Sequence, residues 1–135
     1  MKRKTKIVLI ALASVVLVCV IGGAVAFRII QKNLDALSAA VLEDIPLVKV
    51  ADGVYVGDYG VFPVLATVEV TVRDHQIASA RILKHQNGQG SAGEAVVDRA
   101  VKANSLQVDT VAGATYSSKV LLKAMEDALR KGLTP

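Results

Sequence analysis

The order of patterns along the chain predicts an α+β fold: a small antiparallel sheet with covering helices, preceded by an N-terminal transmembrane helix. Three observations carry that expectation. Ile7 to Phe27 is a run of 21 residues without a charge, with Ser14 its only hydroxyl. In Val64 to Arg73 the residues Val64, Ala66, Val68, Val70 and Val72 face one way, and Leu65, Thr67, Glu69, Thr71 and Arg73 the other. That is the period of a half-buried strand with one solvated face. In Lys119 to Lys131 the residues Leu121, Leu122, Met125, Ala128 and Leu129 recur at helical spacing.

The first segment is long enough to span a bilayer, since about 20 apolar residues cross the hydrocarbon core as a helix. Lys2, Arg3, Lys4 and Lys6 precede it and form the positive flank that keeps an N-terminus in the cytoplasm. The remainder is expected outside, as the extracytoplasmic part of a single-pass cell-membrane protein. A cleaved signal peptide is the competing account, because Ala24-Val25-Ala26 has the small-x-small form of a cleavage site. Against cleavage, the run exceeds a usual signal core and lacks a clear polar region before the cut, so a retained anchor is favoured. Cys19 raises a lipid-modified cysteine as a third option, but Val18 is a poor match for such processing. A membrane-buried thiol is the simplest reading, and one cysteine allows no disulfide within the chain.

The net charge of +4 comes entirely from the four residues before the anchor. From Arg28 onward, 12 basic and 12 acidic residues cancel. A neutral external part argues against nucleic acid or a broadly anionic partner. The residues beyond the anchor suffice for one small domain.

After the cytoplasmic tip and anchor (1–27) comes a helical stalk (28–47). Ile29, Ile30, Leu34, Leu37 and Val41 recur at helical spacing to about Glu43, and Pro46 disfavours helix at Ile45. The domain proper is expected over 48–135. Asp52-Gly53-Val54-Tyr55-Val56-Gly57 reads as a turn entering a short strand, and Asp58-Tyr59-Gly60 as a second turn. The alternating strand comes next, then a hairpin turn at Asp74-His75-Gln76 and a strand from Ile77 to about Lys84. His85 to Gly90, with Asn87 and Gly88, is a polar loop. Ser91-Ala92-Gly93-Glu94 has capping-box spacing and opens a helix to about Ala103, with Val96, Val97 and Val101 among its apolar residues. Leu106 to Val108 reads as a short extended piece, and Gly132 ends the last helix after Arg130 and Lys131.

The chemistry concentrates in Asp109-Thr110-Val111-Ala112-Gly113-Ala114-Thr115-Tyr116-Ser117-Ser118. A permissive Gly-Ala turn and a run of hydroxyls lead into the last helix. Such a segment presents a hydroxyl and several N–H groups at a helix N-terminus, where a phosphate is electrostatically at home. The alternative is an ordinary helix cap, for which Ser and Thr are preferred. Two histidines and a membrane cysteine do not supply a convincing metal site.

The segment resembles the flavinylation motif of the FMN-binding domain family, in which an acidic residue, a Gly-Ala pair and a threonine mark the attachment of FMN through its phosphate. Asp52, Gly53, Tyr55 and Gly57 match the strand start of that family; Asp109, Gly113, Ala114, Thr115, Ser117 and Ser118 match its closing motif. Ala112 departs from the Ser or Thr usual there. The resemblance covers roughly Val48 to Leu133. In it the chain is similar to the flavin-carrying subunits of Rnf and Na⁺-translocating NADH:quinone reductase complexes, which are larger.

That resemblance implies covalent FMN on Thr115, attached by a separate Mg²⁺-dependent flavin transferase that takes the FMN moiety from FAD. A threonine hydroxyl is a weak nucleophile, and the chain offers no obvious base to pair with it. Around the flavin the resemblance points to Asp109, Gly113, Ala114, Ser117 and Ser118; of the aromatic residues in the domain only Tyr55, Tyr59, Tyr116 and Phe62 could stack on the ring, and His85 is a further candidate. Tyr55 is alternatively a plain sheet residue, Tyr116 a surface residue at the helix start, and His85 a solvated loop residue; His75 reads as a turn residue. The implied function is electron transfer between redox donor and acceptor proteins or quinone, as a carrier rather than a stand-alone enzyme. A flavin subunit of a larger ion-translocating complex and a non-redox flavin-sensing or scaffold module are the alternatives.

Overall fold

The structure is a computed structural model that describes residues 2–86 and 91–135. Asn87 and Gly88, named above in the polar loop, lie outside the described residues. Two compact units result, Met1–Lys32 and Asn33–Pro135.

The first unit belongs to helix α1 (Arg3–Ala39), which is long and apolar enough to cross a membrane; a signal sequence meets the same criterion. Its apolar side chains are open, Ile10 and Val18 each 69% exposed. Ser14 Oγ donates to the Ala11 carbonyl at 2.8 Å. The single hydroxyl of the apolar run thus has a partner on its own helix, which a lipid environment demands.

The second unit is α+β. Strands β1 (Gly53–Val61), β2 (Val64–Arg73) and β3 (Gln76–Gln86) form an antiparallel sheet in the order β1-β2-β3. The alternation in β2 works as expected: Val64, Ala66, Val68, Val70 and Val72 are all buried. Register carries the buried face sideways, pairing Gly57 with Val68 and Tyr55 with Val70 on one side, and Ile82 with Val68 on the other. Helix α3 (Thr115–Lys131) packs on β1 and β2, and helix α2 (Ala95–Ala103) on β3 and α3. Val120, Leu121, Leu122, Ala124, Met125, Ala128 and Leu129 supply the buried side of α3.

Gly57 explains how α3 comes so close. A Cβ there would lie 2.0 Å from the Ala124 carbonyl oxygen and 2.3 Å from the Ala128 nitrogen. A glycine on the strand, facing two alanines on the helix, lets the two backbones touch. At the end of α3 the chain returns to its entry: Ala51 N–H donates to the Gly132 carbonyl at 2.9 Å, and Thr134 N–H to that of Lys49 at 2.8 Å.

Several boundaries differ from expectation. Asp58-Tyr59-Gly60 is not a turn but the second half of β1. It is an edge strand whose Asp58 N–H is taken by the Asp127 carboxylate at 3.0 Å. The β2–β3 turn is the two residues Asp74 and His75, with φ of 50° and 60°, and Gln76 already pairs with Arg73. Positive φ at both positions matches the twist of a two-residue hairpin. Strand β3 continues past Lys84 through His85 to Gln86. Leu106 to Val108 joins no strand; its Val108 N–H folds back on the Leu106 carbonyl at 3.0 Å. Ser91–Glu94 is a 3-10 turn rather than a capping box. Glu94 makes no cap bond, because its carboxylate binds His85 instead.

Helix α1 ends at Ala39, short of Glu43 and Pro46. Lysines on α3 take carbonyls at and just past its end: Lys119 Nζ donates to those of Ser38 and Ala40, and Lys123 Nζ to that of Val41. Cations at a helix C-terminus satisfy carbonyls that the helix cannot. The segment then contributes Leu37 and Ile45 to the domain core.

Candidate functional site

Helix α3 starts at Thr115, four residues before the regular apolar spacing begins. Gly113, at φ +77°, occupies the left-handed region that glycine enters freely. Ala114 then caps the helix with its backbone alone, and no side chain makes a cap bond. Its N–H donates to the Val111 carbonyl at 3.0 Å, and its carbonyl accepts from Ser118 N–H at 2.9 Å. The N–H groups of Thr115, Tyr116 and Ser117 precede the first bond of the helical ladder, where an α-helix has donors to spare.

The hydroxyls of the motif divide sharply. Ser118 is fully buried, and its Oγ accepts from Val111 N–H at 3.0 Å, clasping the loop to the helix. Ser117 is buried against Gly93, where an added Cβ would meet the Ser117 Cβ at 2.8 Å. Thr115 and Tyr116 are exposed. With Gly113 and Ser38 they line a cleft of about 370 Å³.

From α2, Arg99 Nη1 donates to the carbonyls of Asp109 (3.1 Å) and Thr110 (3.4 Å). It braces the approach to the turn through backbone atoms. Asp109 itself is exposed and lines a different, open cleft with Arg99, Lys102 and Gln107.

His85 projects from the buried face of β3, opposite Ala66, with its side chain only 2% exposed. Its Nδ1 lies 2.9 Å from Glu94 Oε1. Glu94 follows Gly93, which abuts Ser117, so the pair lies beside the first turn of α3. Tyr55 stands elsewhere. It packs on Gly132, just past the other end of α3, and its hydroxyl donates to the Ala51 carbonyl at 2.8 Å. Those 17 residues of helix separate it from Thr115 by about 25 Å.

The structure thus brings Gly113, Ala114, Thr115, Tyr116, Ser117 and Ser118 into one turn, with Asp109 and His85 adjoining and Tyr55 remote. Residues 66–130 match the family model of the FMN-binding domain. This part of the chain is an FMN-binding domain. Neither a curated protein nor a solved structure matches the chain. The matched stretch begins at the third residue of β2, takes in β3, α2 and the motif turn, and ends on the last turn of α3. An FMN-binding domain behind an apolar N-terminal helix fits a membrane-anchored flavoprotein.

The residues around the turn suit FMN. An exposed hydroxyl, spare N–H groups at a helix start and a neighbouring aromatic ring match a phosphate joined to a flat ring system. Arg99, Ser38 and Glu94 are functional candidates that the sequence did not single out. Arg99 and Ser38 reach the turn only through packing of distant segments. Glu94 was legible, but as a cap.

Proposed function

We propose that the protein is a membrane-anchored, extracytoplasmic electron carrier whose FMN is joined by a phosphoester to Thr115. The observation that carries this reading is the sorting of hydroxyls at the start of α3. Thr115 is exposed at the first helical position beside a cleft, whereas Ser117 and Ser118 are buried in packing. Thr115 Oγ1 would hold the FMN phosphate as a phosphoester, formed at the expense of the pyrophosphate bond of FAD with AMP as the leaving group. The threonine proton passes to a base on a separate transferase, because among the described residues no base is paired with Thr115. When bound, the flavin supplies one- and two-electron chemistry, and the protein supplies position and electrostatics.

In this reading the N–H groups at the start of α3 would hold the phosphate, and Tyr116 would offer an aromatic face to the ring. Gly113 keeps the turn open, Arg99 fixes its approach, and the His85–Glu94 pair adjoins it. The electron donor and acceptor are partner proteins or quinone at the same membrane.

Denaturing gels of protein made with and without a flavin transferase test the attachment. Fluorescence that survives denaturation is expected only with the transferase, and Thr115→Val should abolish it while leaving the fold intact. Thr115→Ser keeps the oxygen and should retain part of the signal. Undiminished fluorescence on the valine variant would remove Thr115 from the mechanism. For the anchor, the chain should stay with membranes through an alkaline wash, and external protease should reach the domain in spheroplasts or protoplasts.

A further inference from the structure

Phe62 sits at the tip of the β1–β2 turn with 58% of its surface exposed. The tip is held where the chain enters the domain: Asn33 Nδ2 donates to the Phe62 carbonyl at 3.1 Å, and Asn33 is the first residue of that unit. Asn33 follows Phe27, the last residue of the uncharged run, by six positions. Even a fully extended chain of that length spans only about 20 Å. The covalent tether therefore keeps this tip near the end of the apolar segment for every orientation of the domain. The only charges between Phe27 and Asn33 are Arg28 and Lys32, both positive.

We propose that the Phe62 turn is a second membrane contact, seated among the lipid headgroups of the bilayer that holds Ile7 to Phe27. The proposal rests on reading that segment as a retained anchor. Phenylalanine on an interfacial segment buries its ring at the headgroup–acyl boundary, and basic residues beside a membrane span favour anionic headgroups. Tethering makes the contact intramolecular, so one side chain suffices where free association would need a larger surface. Val54 lacks this placement: it is exposed at the opposite end of β1, eight residues from Phe62 and roughly 25 Å along the strand. Ser38, which lines the Thr115 cleft, lies five residues beyond Asn33 on α1, about 7.5 Å of helix. Seating the turn thus brings that cleft close to the headgroups, within reach of a membrane-soluble electron carrier.

The chain contains no tryptophan, so Phe62→Trp introduces a single reporter. The full-length variant is reconstituted into vesicles of phosphatidylethanolamine and phosphatidylglycerol, with Val54→Trp as the comparison. Emission from the Phe62→Trp protein should shift to the blue and lose most of its intensity when the acyl chains are brominated near the headgroup, whereas emission from the Val54→Trp protein should do neither. Equal behaviour of the two variants, or quenching of the Val54→Trp protein alone, overturns the contact while leaving the anchor in place. Flotation of the same vesicles separates the two failures: protein that does not float with lipid overturns the anchor, and the contact with it.

Discussion

At position 57 a single methyl group has no room. The Ala124 carbonyl and Ala128 nitrogen already occupy its space, and both are backbone atoms that a side-chain rotation cannot move. Gly57→Ala should therefore push α3 off β1 and cost about 1–3 kcal/mol or more, read as a lower urea midpoint. Ser118→Ala removes the acceptor of Val111 N–H and should cost about 1–3 kcal/mol, with the flavin still attached. Ser117→Ala removes an oxygen for which no cap role exists and should change stability less. The motif's composition was plain in the sequence, but not which hydroxyl faces outward. Thr115, Ser117 and Ser118 differ only in what packs on them, and that is decided by Gly93 and Val111. His85 is a similar case. Its neighbours in sequence are polar, yet strand register turns its side chain to the buried face.

Among the elements, α3 carries most of the ion pairs found among the described residues. Glu126 is 3% exposed. Burial pushes its carboxyl up, but the Glu43 N–H, Lys123 and Arg130 together outweigh this and hold it below the ordinary glutamate value. For Asp127, burial likewise opposes the Asp58 N–H and Lys131, and the net displacement is again downward. Both groups bind protons more weakly folded than unfolded. Their stabilisation is complete above the ordinary carboxylate range, near pH 4, and is lost as pH falls through the folded values. Glu126→Gln should lower stability at neutral pH and flatten its decline in acid, measured by urea unfolding across about pH 3 to 7. Element identity was largely legible: period two gave β2, and period 3.6 gave α3. The misreadings share a cause. Asp58-Tyr59-Gly60 looks like a turn by composition, but a side chain of α3 supplies what its backbone needs. Ser91 to Glu94 looks like a cap, but His85 from another strand claims the carboxylate. Partners distant in sequence settled both.

For the whole molecule, Leu37 and Ile45 show how far the domain reaches back toward the apolar segment. A fragment beginning at Asn33 should unfold cooperatively. One beginning at Val48 loses both side chains and the backbone carbonyls that Lys119 and Lys123 bind. Removing a buried Leu or Ile costs about 2–5 kcal/mol, so the shorter fragment should melt at much lower temperature or show no transition. The pairing of Lys49 and Ala51 with Gly132 and Thr134 imposes an order on synthesis. Lys49 and Ala51 can bond to Thr134 and Gly132 only once residue 134 has been made, so this clasp cannot close before that point in translation. Contacts so far apart in the chain make closure a late event. A polypeptide that stays open until its last helix is complete can still be threaded through a narrow channel. A transferase that recognised the folded turn at Thr115 would then meet its acceptor only after the passage was over.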